Sequence, residues 1–113
     1  MTALRPLSLS LHGAFELLLG VLALVAPFAL SFTPAGTVLS VLIGVLAIGL
    51  ALDTTAPRDV TAHQGFDYAL AIGAVLVALP LALSADAAAA LVLAAIGVAQ
   101  LALTAGTRYS VRG

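Results

Sequence analysis

The chain reads as four long apolar runs separated by short polar marks. The first extends from about Leu7 to Ala26, and at its longest to Leu30. The second begins at Thr33-Pro34 and ends near Leu52. The third covers about Ala62 to Leu79 or Leu83, and the fourth begins after Ser84-Ala85-Asp86 and ends near Thr104. None of them alternates in the way a half-buried strand does, and Ala and Leu dominate, so all four predict helices. Runs of about 18–20 residues rising about 1.5 Å per residue span roughly 27–30 Å, the thickness of a bilayer core. In hydrocarbon a segment has to satisfy its own backbone, which leaves the helix or the closed barrel. The pattern therefore predicts an all-α polytopic membrane protein with four transmembrane helices.

The punctuation agrees. Pro6 is placed to occupy the first turn of helix one, where its missing N–H costs nothing. Pro27 is expected to kink or stop that helix. Thr33-Pro34 is an N-cap followed by a first-turn proline, Asp59 or Thr61 caps the third helix, and Asp86 caps the fourth. Residues 53–61, from Asp53 to Thr61, form the one clearly polar linker.

The second half repeats the first. His12, Phe15 and Glu16 return as His63, Phe66 and Asp67; Pro27-Phe28-Ala29-Leu30-Ser31 returns as Pro80-Leu81-Ala82-Leu83-Ser84; Ile43-Gly44-Val45 returns as Ile96-Gly97-Val98. Repeat one covers 7–52 and repeat two 62–105, within a single membrane domain of residues 1–113. Each repeat crosses twice and returns to its starting side. The fold class is thus two tandem parallel helical hairpins, related by an axis along the membrane normal, unlike the inverted repeats of many transporters.

Composition supports the membrane reading. Hydrophobic residues make up 63% of the chain and charged residues 8%, against about 25% charged in a soluble domain. Mean hydropathy is +1.24. There is no cysteine, which excludes disulfides and thiolate metal sites, and a net charge of -1 without a basic cluster gives no footprint for nucleic acid. The run after Arg5 continues past Val25 and carries His12 and Glu16, so it predicts a transmembrane helix and not a cleaved leader. Arg5, Arg58, Arg108 and Arg112 all fall on one side of a four-crossing chain, which predicts cytoplasmic termini.

Helices in lipid associate through small residues and polar contacts. Gly65, Ala69 and Gly73 form a stripe on the third segment, and Gly44 and Gly97 are matched points on the second and fourth. Phe28 and Phe32 are expected at the outer membrane boundary and Tyr68 and Tyr109 at the inner one. Phe15 and Phe66 are expected to meet each other or flank the axis. His12 and Glu16 share a helical face, as do His63 and Asp67, and Gln100 falls at a similar depth. Glu16 lies roughly 13 Å beyond Leu7 along a helix, with Asp67 shallower. A carboxylate at mid-membrane costs about 2.5–3.5 kcal/mol, so it pairs, meets water or takes up a proton. Three uses follow: polar ties between helices, a proton or ion path through Glu16 and Asp67, or a metal or haem site at His12 and His63 with the carboxylates. The Glu-x-x-His spacing of di-iron bundles is absent. Ser8, Ser10 and Ser40 lack a catalytic setting, and there is no phosphate loop or dinucleotide fingerprint, so no enzyme is expected and no cofactor is required.

The stretch Leu18-Leu19-Gly20-Val21-Leu22-Ala23-Leu24-Val25-Ala26-Pro27-Phe28, followed by Val41-Leu42-Ile43-Gly44-Val45-Leu46-Ala47, resembles the SPW-repeat bacterial membrane proteins. Their two-helix unit of about fifty residues carries Ser-Pro-Trp near the end of its first helix. The matching positions here read Ala26-Pro27-Phe28 and Leu79-Pro80-Leu81, so the proline is kept and the tryptophan is replaced. The pattern is also similar to HdeD-like short-repeat membrane proteins, which implies a link to acid stress. The resemblance implies a bacterial cytoplasmic membrane and supplies no settled catalytic activity. The expectation is a small non-enzymatic membrane protein, a scaffold, accessory subunit or stress-related component, self-associating or joined to a larger complex in the lipid bilayer. The alternatives are a proton- or ion-conducting oligomer and a haem- or metal-binding protein.

Overall fold

The structure is a computed structural model and describes residues 5–56 and 59–110. The arginine side assignment rests in part on Arg58 and Arg112, which lie outside the described residues. Four helices follow in order: α1 (Leu9–Ala29), α2 (Pro34–Asp53), α3 (Val60–Leu83) and α4 (Ala87–Ala105). Each is long and apolar enough to cross a membrane. Among the described residues there is no strand beyond one isolated bridge, Leu7 to Thr107.

Each helix starts at a polar cap. Ser8, Thr33, Asp59 and Asp86 accept the N–H of Leu11, Gly36, Ala62 and Ala89 at 3.2, 3.1, 3.0 and 3.2 Å. These bonds satisfy N–H groups that the helix itself leaves open. Because Ser8 takes the cap of α1, Pro6 stands outside the helix and not in its first turn. Pro27 does not stop α1, which runs on to Ala29. A proline at 27 leaves the carbonyl of Ala23 without its helical partner. The Ser40 hydroxyl, from α2, donates to that carbonyl at 2.6 Å, so the helix continues at little cost.

Both hairpins close in the same way. After α1, Ser31 adopts φ 55° and the Phe32 N–H reaches back to the Pro27 carbonyl at 3.0 Å; after α3, Ala85 adopts φ 66° and the Asp86 N–H reaches the Leu81 carbonyl at 2.9 Å. This is a left-handed helix stop made without glycine, at about 1–2 kcal/mol each. The two hairpins are then tied at this outer end. Thr33 donates to the Asp86 carboxylate from its hydroxyl at 2.6 Å and its N–H at 2.9 Å. These donors, the Thr33 hydroxyl foremost, hold the Asp86 carboxyl below its ordinary value.

Within each hairpin the backbones come close at small residues. A Cβ on Gly44 would stand 2.8 Å from the Gly20 carbonyl oxygen, and one on Gly97 would stand 2.8 Å from that of Ala71. Gly20 and Ala71 are equivalent positions of the repeat. The Gly65, Ala69, Gly73 stripe does not make such contacts. A Cβ at Gly65 or Gly73 meets nothing, because the inward face of α3 is set by His63, Asp67, Ala71, Ala74 and Ala78. Ala69 and Gly73 instead line an open apolar groove of about 320 Å³ between α2 and α3.

The helices form a flattened square in which α1 and α3 lie across the long diagonal, with no Cα of one within 8 Å of the other, while α2 and α4 approach across the short one. The interior is rich in small and polar residues, with Ala23, Ala47, Ala71, Ala74 and Ala89 packed around a few larger ones such as Leu93, while Leu18, Val25, Leu42, Val45, Leu76, Leu91 and Val98 face outward. That inversion of a soluble protein's pattern, on a body 44 Å long, is what a bilayer of about 40–45 Å requires. The chain is an integral membrane protein. Phe15 and Phe66 also face outward, at 46% and 63% exposure, and do not flank the axis. Each precedes an inward carboxylate by one residue and so points about 100° away. Phe32, expected at the membrane boundary, is buried in the core.

Candidate functional site

The gap between the diagonal helices α1 and α3 is filled by side chains. His12, Glu16, His63, Asp67 and Gln100 are all buried, none more than 3% exposed. Glu16 and Asp67 each lie seven residues past the first residue of their helix (Leu9 to Glu16, Val60 to Asp67). They therefore sit at equal depth, and Asp67 is not the shallower. The four-residue step places each imidazole one turn nearer the bundle end that carries the start of α1 and the end of α4.

Hydrogen bonding fixes how the imidazoles are turned. Thr107 has one hydroxyl proton, and it goes to the Leu103 carbonyl at 2.6 Å. The 2.8 Å contact with His12 Nδ1 must then be an N–H donated to the Thr107 oxygen. His63 Nδ1 likewise donates to the Asp53 carboxylate at 2.7 Å. Both rings are left with Nε2 pointing inward. His12 Nε2 lies 3.4 Å from Glu16 Oε1 and 3.0 Å from Asp67 Oδ2, and His63 Nε2 lies 3.7 and 3.1 Å from the same atoms.

The carboxylates are turned too. Gln100 Nε2 donates to Glu16 Oε2 and, at 3.4 Å, to Asp67 Oδ1. One amide group thus holds one oxygen of each acid and leaves the other facing the centre. Tyr109 donates its hydroxyl to Asp67 Oδ2 at 2.7 Å. Burial, together with the adjacent Asp67 carboxylate, pushes the Tyr109 phenol above its ordinary value and keeps it a donor. Its ring stands edge-on to His12 at 5.5 Å between centroids and tilted over His63 at 6.3 Å.

Three buried atoms at the middle, His12 Nε2, His63 Nε2 and Glu16 Oε1, make no aligned hydrogen bond. Buried polar atoms without partners are rare and costly, at about 1–3 kcal/mol each. One donor atom from each of His12, Glu16, His63 and Asp67 falls within 4.8 Å of all the others. Metal bonds of about 2.0–2.2 Å in a tetrahedron place neighbouring ligand atoms about 3.3–3.6 Å apart. The four measured separations, 3.0 to 3.7 Å, bracket that range. Two neutral imidazoles and two carboxylates also neutralise a divalent ion, the condition for burying one.

Among the described residues the polar contacts of the centre reach the surface at one end. On that side Asp53, hydrogen-bonded to His63, is 38% exposed. On the other, Ser40 is the one buried polar residue between Gln100 and the end caps among those described, and its hydroxyl is committed to Ala23.

Asp53, Thr107 and Tyr109 are parts of the site that the sequence left as a helix-end residue, an unremarked threonine and an interfacial anchor. The repeat carried a signal for two of them. Asp53 ends α2 and holds the histidine of α3; Thr107 follows α4 and holds the histidine of α1. Applying the two-fold relation to helix ends, and not only to helix faces, brings both to the histidines. Nothing in the repeat marks Tyr109, which lies beyond it. No family model, curated protein or solved structure matches this chain, so its function has to be read from the chemistry of this centre.

Proposed function

We propose that this protein is a small non-enzymatic metal-binding protein of a bacterial cytoplasmic membrane, holding one divalent first-row ion at His12 Nε2, His63 Nε2, Glu16 Oε1 and Asp67 Oδ2. The observation that carries the proposal is the convergence of those four atoms, with the four nitrogen–oxygen separations at 3.0 to 3.7 Å and three of the atoms without another partner. Two nitrogens and two carboxylate oxygens suit zinc or ferrous iron better than calcium or magnesium, which prefer all-oxygen shells. The outer contacts support the same reading. Ligating histidines commonly donate their second N–H to a carboxylate or another oxygen acceptor, which fixes the ring and strengthens the ligand, and Asp53 and Thr107 stand in that position. Four protein ligands leave no position for a substrate, which favours storage, sensing or structural use over hydrolysis. Haem fits poorly, since Glu16 and Asp67 occupy the space between the imidazoles. Conduction fits poorly as well, because the polar path ends at Gln100. Both chain ends face the cytoplasm in this reading, so the ion comes from the cytoplasmic pool.

The test is metal analysis of the purified chain in detergent or nanodiscs, followed by equilibrium dialysis with zinc and with ferrous iron. One ion per chain is expected, with affinity lowered more than 100-fold in both Glu16→Gln and His63→Ala. A wild-type chain that takes up neither ion at micromolar concentration refutes the proposal; stable helices in that metal-free sample would leave the cluster as a polar tie.

A further inference from the structure

The chain does not leave the bundle when α4 ends. Gly106 closes the helix with its N–H on the Ala102 carbonyl at 3.0 Å, and the next residues double back across the end of the bundle nearest the centre. There the Leu7 N–H donates to the Gly106 carbonyl at 3.0 Å and the Arg108 N–H donates to the Leu7 carbonyl at 2.8 Å. This short strap carries two of the contacts that orient the candidate ligands, Thr107 on His12 and Tyr109 on Asp67. It also sets the Tyr109 ring against both imidazoles, edge-on to His12 and tilted to His63. Thr107 is fully buried beneath it, and Arg108 is half-buried with its Nε lacking a partner.

We infer that Gly106–Ser110 is the lid of the centre: it lifts to let the ion pass, and a bound ion holds it down. The inference rests on the metal-binding reading. A strap outside any helix, held by a few hydrogen bonds, opens at far lower cost than the bundle unfolds. An ion fixes His12 and Asp67 in the orientations that meet Thr107 and Tyr109. Without it, the inward nitrogens and oxygens turn toward protons and water, and the grip on the strap weakens. Since the coupling is reciprocal, whatever stabilises the closed strap must raise affinity for the ion by the same factor. Occupancy is thereby reported at Leu7 and the strap.

Two measurements on the full chain test this with zinc as the probe. In the wild type, amide exchange at Leu7 and Arg108 is expected to slow at least tenfold on adding zinc, while exchange in the middle of α2 and α4 stays unchanged. Arg108→Pro, which removes the Arg108 N–H tie to Leu7 and touches none of the four ligands, is expected still to bind one ion but to release it to a chelator at least tenfold faster. Equal exchange with and without zinc, or unchanged release in Arg108→Pro, overturns the lid and leaves the metal reading standing. A wild type that binds no zinc overturns both, and a variant that misfolds leaves the wild-type exchange result to decide.

Discussion

Thr107→Val and Asp53→Ala probe the centre without touching a ligand. Each removes one acceptor, at 2.8 Å from His12 Nδ1 or 2.7 Å from His63 Nδ1. Loss of such an outer contact typically lowers metal affinity about 10–100-fold, or about 1.4–2.7 kcal/mol. Asp53 is expected to cost more, because a charged acceptor strengthens the hydrogen bond and the opposite ring nitrogen more than a hydroxyl does. Its exposure of 38% makes that excess shrink as salt is raised. The two histidines serve one ion in the proposed site and their rings stand 6.2 Å apart, so the effects should couple, and the double variant's loss should depart from the sum of the two singles by about 0.5–3 kcal/mol. Ser40→Ala is the control. It removes a buried hydrogen bond at 2.6 Å, costs about 1 kcal/mol of stability, and should leave affinity within about twofold because Ser40 touches no part of the centre. Competition titration against a colorimetric zinc chelator at fixed pH and salt reads all four proteins. If both single variants bind within twofold of wild type, the outward nitrogens do not orient the ligands and the reasoning fails.

Other consequences are open to simpler assays. Gly97→Ala should destabilise the bundle by about 1–3 kcal/mol, since the new methyl meets the Ala71 carbonyl oxygen and the Val75 backbone nitrogen at 2.8 and 3.0 Å. Gly73→Ala, where nothing lies within 4 Å, should instead stabilise it by up to about 1 kcal/mol; equal effects in a denaturation series would contradict the packing. Gln100→Leu strips the donor from one oxygen of each carboxylate and should cost about 1–3 kcal/mol per buried oxygen left bare, read as a lowered midpoint that added zinc does not restore to the wild-type value. Asp86 acts at the other end. Its folded-state pKa lies below the ordinary 3.8, so its tie to Thr33 is complete above that pH and is lost as pH falls through the folded value. Acid unfolding of wild type should therefore contain a component below about pH 4 that Asp86→Asn lacks; superimposable acid limbs would remove the tie.

The sequence by itself determined the four helices, because period and hydrocarbon act locally: an apolar run of that length must bond its own backbone, and Thr33, Asp59 and Asp86 mark where the last three begin. It also determined that His12 with Glu16 and His63 with Asp67 are matched pairs, since a four-residue step always shares a face. What it left open was the rotation of one helix against another. That rotation is set where backbones touch, at Gly20 with Gly44 and at Ala71 with Gly97, contacts that no single segment encodes. Only the assembled square turned both pairs inward across the α1–α3 diagonal, sent Phe15 and Phe66 out to lipid, and brought Ser40 to the carbonyl that Pro27 exposes. Folding residues 106–110 back onto Leu7 added Thr107 and Tyr109. A helix specifies its own face from neighbours in the chain, whereas a centre built from four helices and a strap is specified by close packing between parts far apart in sequence.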